Sequence, residues 1–116
     1  MEYQKLYLMI QKLLGKTREG LVIWKKTESD EMYQTFFSKY GVRVAEENSN
    51  HPTPDYYVYI TDGRGEILEF VSDVDLSGWG EDSFKMMKEL YHRARRQAKG
   101  VDDAIDDILH ELDIPF

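Results

Sequence analysis

A chain of 116 residues, with 41% hydrophobic and 13% aromatic content, has room for one domain and one core that folds without metal or disulfide staples. The absence of cysteine excludes disulfides, thiol nucleophiles and zinc thiolates and suits a cytoplasmic setting. A net charge of -7 repels polyanions at long range, so bulk nucleic acid is not an expected partner, and no apolar run resembles a signal peptide or approaches the ~20 residues of a membrane span.

Tyr3, Leu6, Tyr7, Ile10, Leu13 and Leu14 recur at spacings of three and four, which predicts an N-terminal helix with Gly15 as its stop. LVIWKK (Leu21 to Lys26) is short, β-branched and aromatic and reads as a buried strand. Met32 to Ser38 and Val42 to Glu47 flank a Gly-bearing link and predict a hairpin. Glu46 to Asp55, with two prolines and no periodicity, reads as an exposed loop. Tyr56 to Thr61 and Glu66 to Ser72 enclose Asp62-Gly63-Arg64-Gly65, where both glycines are expected to supply positive φ in a second hairpin.

Beyond Gly80, Phe84, Met87, Leu90, Tyr91, Ala94 and Ala98 fall within roughly 120° of a helical wheel. Gly100 breaks that helix, and Val101, Ile105, Ile108, Leu109 and Leu112 mark another ending before Pro115. The expected fold is one α+β domain: an N-terminal helix, an antiparallel meander of four to five strands, and two C-terminal helices. Two layers follow if the amphipathic first and last helices cover one sheet face.

Several patterns imitate chemistry. Asp73, Asp75, Ser77 and Gly78 match the first half of a calcium loop, but its twelfth position is Phe84, where a bidentate Glu belongs. The structural reading is a continued strand, with Val74 and Leu76 facing in and Asp73 and Asp75 facing out, then a turn through Trp79. Asp103, Asp107 and His110 could converge on a metal, yet acidic residues in a first helical turn complement the helix dipole, with Asp102 as N-cap. Gly15-Lys16-Thr17 resembles the end of a P-loop, but Ile10 stands where the first glycine belongs. The three histidines, His51, His92 and His110, are scattered, with His51 in a turn-rich segment. No catalytic set, metal site or cofactor is expected from these patterns.

Lys85, Lys88, His92, Arg95, Arg96 and Lys99 form a basic ridge about 20 Å long on one helix. It reads either as a docking surface or as a solvated face whose last cations pair with the acidic helix that follows. In YYVYIT, Tyr57 and Tyr59 must face away from Tyr56, so aromatics line both faces of the sheet.

The segment LYHRARRQAKGVDDAIDDILHEL (Leu90 to Leu112) resembles the tail of small uncharacterised prokaryotic proteins built as helix, antiparallel sheet, helix. Trp24 and the Gly-containing hairpin before Glu66 are similar in placement. The resemblance implies a prokaryotic or phage setting and brings no activity and no functional residue.

The expected function is that of a small non-catalytic interaction domain, accessory or regulatory. It would dock a protein partner through Lys88, Arg95, Arg96, Lys99, Tyr57 and Tyr59, with homodimerisation through the same surface as an extension. The alternatives are a small-ligand or nucleotide binder and a metal-dependent enzyme built around the aspartates.

Overall fold

The first apolar stripe winds as helix α1 (Tyr3–Arg18) in a computed structural model that describes residues 3–48, 52–78 and 82–112. The helix continues through Gly15, the expected stop, and ends at Gly20, whose φ of 75° makes the left-handed turn. The Gly20 N–H donates to the Thr17 carbonyl (3.1 Å) and the Leu21 N–H to that of Lys16 (3.0 Å). This pair of bonds closes the last turn as a Schellman motif does.

Of the strand expected from Leu21 to Lys26, Lys25–Lys26 alone pairs as β1. The residues before it find another partner: the side-chain amide of Gln97 donates to the Val22 carbonyl (3.0 Å) and accepts from the Trp24 N–H. Gln97 thus stands where a neighbouring strand would, and the segment stays irregular. Trp24 is buried, and its indole N–H donates to the Thr17 hydroxyl at 3.1 Å. That hydroxyl in turn donates to the Leu13 carbonyl at 2.8 Å, so the supposed P-loop threonine is a packing residue inside α1.

Strands β2 (Met32–Phe36), β3 (Gly41–Glu47), β4 (Asp55–Thr61) and β5 (Ile67–Ser72) complete a five-stranded antiparallel meander with neighbours in chain order. Glu46 and Glu47, read both as the end of a strand and as the start of the loop, belong to β3, Asp55, expected in the loop, opens β4, and His51 lies outside the described residues. Gly41 faces Thr61 so closely that a Cβ would stand 2.6 Å from its hydroxyl, which requires glycine there. In the β4–β5 turn Gly65 alone has positive φ (85°). Gly63 does not need it, because Asp62 organises the turn by accepting the N–H bonds of Arg64 (2.8 Å) and Glu66 (3.0 Å).

Helix α2 (Ser83–Ala98) packs against β1, β2, β3 and β4. Its Met87, Leu90, Tyr91 and Ala94 are buried together with the alternate strand residues Tyr33, Val44, Tyr56 and Val58. Tyr91 is the hub of the aromatic core, with its ring centroid 5.6 Å from those of both Tyr33 and Tyr56. Burial pushes its phenol up to about 12.

The last helix, α3 (Val101–Glu111), was expected to cover the sheet and does not: it touches α2 and has no buried residue. Gly100, at φ 64°, is its N-cap in place of Asp102. Asp102 in the first turn instead accepts from the Arg96 guanidinium at 2.6 Å. Helix α1 lies beside α2, tied by Arg18, which forks onto Glu89 at 2.7 and 2.6 Å. Arg93 adds a third bond at 2.6 Å. The Arg18 hydrogen bonds, reinforced by Arg93, hold the Glu89 carboxyl down at about 2. No helix of the described residues is long and apolar enough to cross a membrane.

Gln97→Ala removes the partner of both the Trp24 amide and the Val22 carbonyl. Urea unfolding of this variant should show a loss of roughly 1–3 kcal/mol. An unchanged midpoint would mean that the segment is held by other contacts.

Candidate functional site

Strand alternation decides which side chains the sheet presents. On β4, Tyr56 and Val58 point into the core, so Tyr57 and Tyr59 point out of the opposite face. The strand register then sets their neighbours: Lys25, Gln34, Arg43, Tyr59 and Phe70 form one row across all five strands. Met32, Ala45, Tyr57 and Ser72 form the row beside it. Among the described residues, no helix packs on this face.

Its centre is aromatic. Tyr57 and Tyr59 stack with centroids 6.1 Å apart, and Tyr59 meets Phe70 at 5.8 Å. Phe70 is half exposed, as is Ile67 near the irregularity at Ile60/Thr61. Burial against these neighbours raises the phenols of Tyr57 and Tyr59, and the charge of Glu47 adds to both. Arg43 stands next to Tyr59 in the row, with its guanidinium 3.8 Å from the Met32 sulfur and 3.7 Å from the Glu28 carboxylate. The arrangement offers broad, rigid aromatic area with one cation at its edge, the chemistry of a contact surface.

The cations expected to act with these tyrosines lie elsewhere. Lys88, Arg95 and Arg96 belong to α2 and Lys99 is its C-cap, on the covered side of the sheet. Lys88 sits 5.8 Å from the Phe84 ring centroid, and Arg95 lies beside the Tyr33 phenol. Arg96 is paired with Asp102, and Lys99 lines a recess of about 230 Å³ with Asp30 and Tyr33. His92 faces Glu46 at 3.9 Å and the Tyr56 hydroxyl at 3.4 Å, while that hydroxyl donates to Glu46 at 2.8 Å. The ridge is therefore interleaved with carboxylates and rings, and one flat partner cannot touch both it and Tyr57.

Phe70 and Arg43 are members of the aromatic row that sequence reasoning missed. Their signal lay in the cross-strand register, which needs the hairpin bulge to be placed first.

The half calcium loop serves the backbone. The strand stops at Ser72, and the expected sidedness is reversed at its first pair, with Asp73 buried and Val74 exposed, but holds at the second, with Asp75 exposed and Leu76 buried. Asp73 Oδ1 accepts the Tyr56 N–H at 2.9 Å, and Asp73 N–H returns a bond to the Tyr56 carbonyl at 3.0 Å. Ser83 donates its hydroxyl to the Asp73 carbonyl at 2.9 Å, anchoring the start of α2 to the end of β5. Asp75 accepts the Ser72 N–H and donates its own to the Ser72 hydroxyl. Trp79 lies outside the described residues. Among the described residues no group of three or more His, Asp or Glu is placed to hold a metal ion, and the trio of Asp103, Asp107 and His110 lies exposed on α3.

The chain matches no family model, no curated protein and no solved structure.

Asp73→Ala strands the buried Tyr56 amide and should lower stability by roughly 1–3 kcal/mol. Asp73→Asn keeps an acceptor oxygen and should lose less. Thermal melts of both should be unmoved by low millimolar calcium. A calcium-dependent rise in the wild-type melting temperature that Asp73→Asn abolishes would contradict this assignment.

Proposed function

We propose that the protein is a small non-catalytic interaction domain, accessory or regulatory, that docks a protein partner through the exposed sheet face. The observation that carries this reading is the aromatic cluster Tyr57, Tyr59 and Phe70, spanning two adjacent rows of rigid strands and bare of any helix among the described residues. Aromatic side chains give large contact area for little lost rotamer freedom, and with arginine they dominate binding energy at protein interfaces. Arg43 at the edge of the row supplies a directional, charged anchor.

The reading keeps Tyr57 and Tyr59 as partner-binding residues. It leaves out Lys88, Arg95, Arg96 and Lys99, which face the other way. A cytoplasmic setting agrees with the absence of cysteine, and a prokaryotic or phage setting rests on the resemblance of Leu90 to Leu112. A protein partner fits better than nucleic acid, since the net charge is -7 and Glu47 and Asp55, paired at the end of β3 and the start of β4, put two of its carboxylates beside this face.

A photo-crosslinking amino acid placed at Phe70 in the native host should yield one discrete adduct with another protein. The same group at Lys88, on the opposite side, should yield none. The adduct at position 70 should fall at least about tenfold when Tyr59→Ala and Arg43→Ala are added, as expected for losing more than 1.4 kcal/mol of contact. Equal adducts from both positions, or one insensitive to these substitutions, would refute the reading.

A further inference from the structure

Helix α3 and an apolar groove on the far side of α1 are complementary, and neither is covered by the described residues of its own chain. On α3, Val101, Ile105, Ile108, Leu109 and Leu112 fall within roughly 100° of the helical wheel, and Asp102, Asp103, Asp106, Asp107 and Glu111 occupy the rest. Ile105, Ile108 and Leu112 are all more than 40% exposed. Among the described residues, none from α3 belongs to the core or packs against it. Eleven residues are too few for a helix to persist in water on its own propensity, so this one needs its apolar stripe covered.

The groove has about 450 Å³ of space, with Met9 and Leu13 of α1 on one wall and Val42 and Ile60 of the sheet, with Tyr40 of the β2–β3 link, on the other. Lys12 and Lys16 stand on its rim. On the helical wheel of α1 they share an arc of about 60° with Met9 and the exposed Lys5, a basic stripe on an acidic protein. Lys16 also lies 3.7 Å from Glu19, an exposed pair that contributes little and leaves the lysine able to exchange partners. An apolar channel with a basic rim calls for an apolar helix with acidic flanks.

The two features lie at one end of the molecule. Lys16 on the groove adjoins Thr17, which shares a cleft with Asp102 and Asp103 at the base of α3. Exchange of the helix between two copies about a two-fold axis there would be reciprocal and would close. The chain is also drawn out, with a radius of gyration of 15.6 Å against about 13 Å for a compact domain of this length, as a projecting arm requires. We infer that the protein forms a symmetric homodimer in which α3 of each copy lies in the lysine-rimmed groove of the other.

Light scattering should give twice the 13.7 kDa chain mass for the wild type. Ile108→Asp and the pair Lys12→Glu/Lys16→Glu, all at exposed positions, should each keep the native circular dichroism and weaken dimerisation at least about tenfold. The pair Asp106→Lys/Glu111→Lys should do the same alone, yet restore a dimer when mixed with the Lys12→Glu/Lys16→Glu chain. Because the chain has no cysteine, Met9→Cys mixed with Ile108→Cys should give a disulfide-linked pair on oxidation. A wild type that stays monomeric at every concentration overturns the proposal. So does a dimer that survives Ile108→Asp, or one that is lost only in Tyr59→Ala/Phe70→Ala, which would place self-association on the sheet.

Discussion

The burial of one stripe of α2 against alternate residues of β2, β3 and β4 is the contact on which the rest of the molecule depends. Met87, Leu90, Tyr91 and Ala94 leave almost no surface exposed, and they select Tyr33, Val44, Tyr56 and Val58 as the inward set. Because strand side chains alternate, that choice commits Arg43, Tyr57, Tyr59 and Phe70 to the other face. A slip of one residue in β4 would exchange Tyr56 with Tyr57 and turn the core aromatic to solvent. The outward aromatic face is thus a by-product of how the core is packed.

Short polar ties secure the edges of this arrangement. Gln97 holds the chain around Trp24 to the end of α2, and Asp73 with Ser83 fastens β5 and β4 to its beginning. Arg18 and Arg93 converge on Glu89 to bind α1 alongside. The Glu89 carboxyl is ionised in the folded chain down to about pH 2, below its ordinary range. Its contribution is therefore complete above that range and is lost as the pH falls towards 2, and it is modest because all three groups are partly exposed.

Much of the fold was legible because it is written in local periods. The stripes of α1, α2 and α3, the two hairpins and the opposition of Tyr56 to Tyr57 follow from spacing alone. What could not be read depends on residues far apart in the chain. Leu21 to Trp24 has the composition of a strand, but its backbone partner is a glutamine more than seventy residues away. Gly15 could end a helix, but Gly20 closes it better, because its left-handed turn allows two backbone bonds. The helix that covers the sheet is α2 and not α3, since Gly100 swings α3 off the body. For the candidate site, Tyr57 and Tyr59 were within reach of the two-residue period. Phe70 and Arg43 were not, because they join the row through cross-strand register. The α2 cations were legible as a ridge, but the side of the molecule they occupy was not.

The sheet has one packed face and one that we propose a partner covers, and side-chain footprinting reads both at once. Hydroxyl radicals applied to the purified protein should modify Tyr57, Tyr59 and Phe70 and spare Tyr33, Tyr56 and Tyr91. The same pulse in extract of the native host should protect the first three and leave exposed Leu68 reactive. Equal modification of Tyr56 and Tyr57 in the purified protein, or no protection of Tyr57, Tyr59 and Phe70 in the extract, would contradict the account.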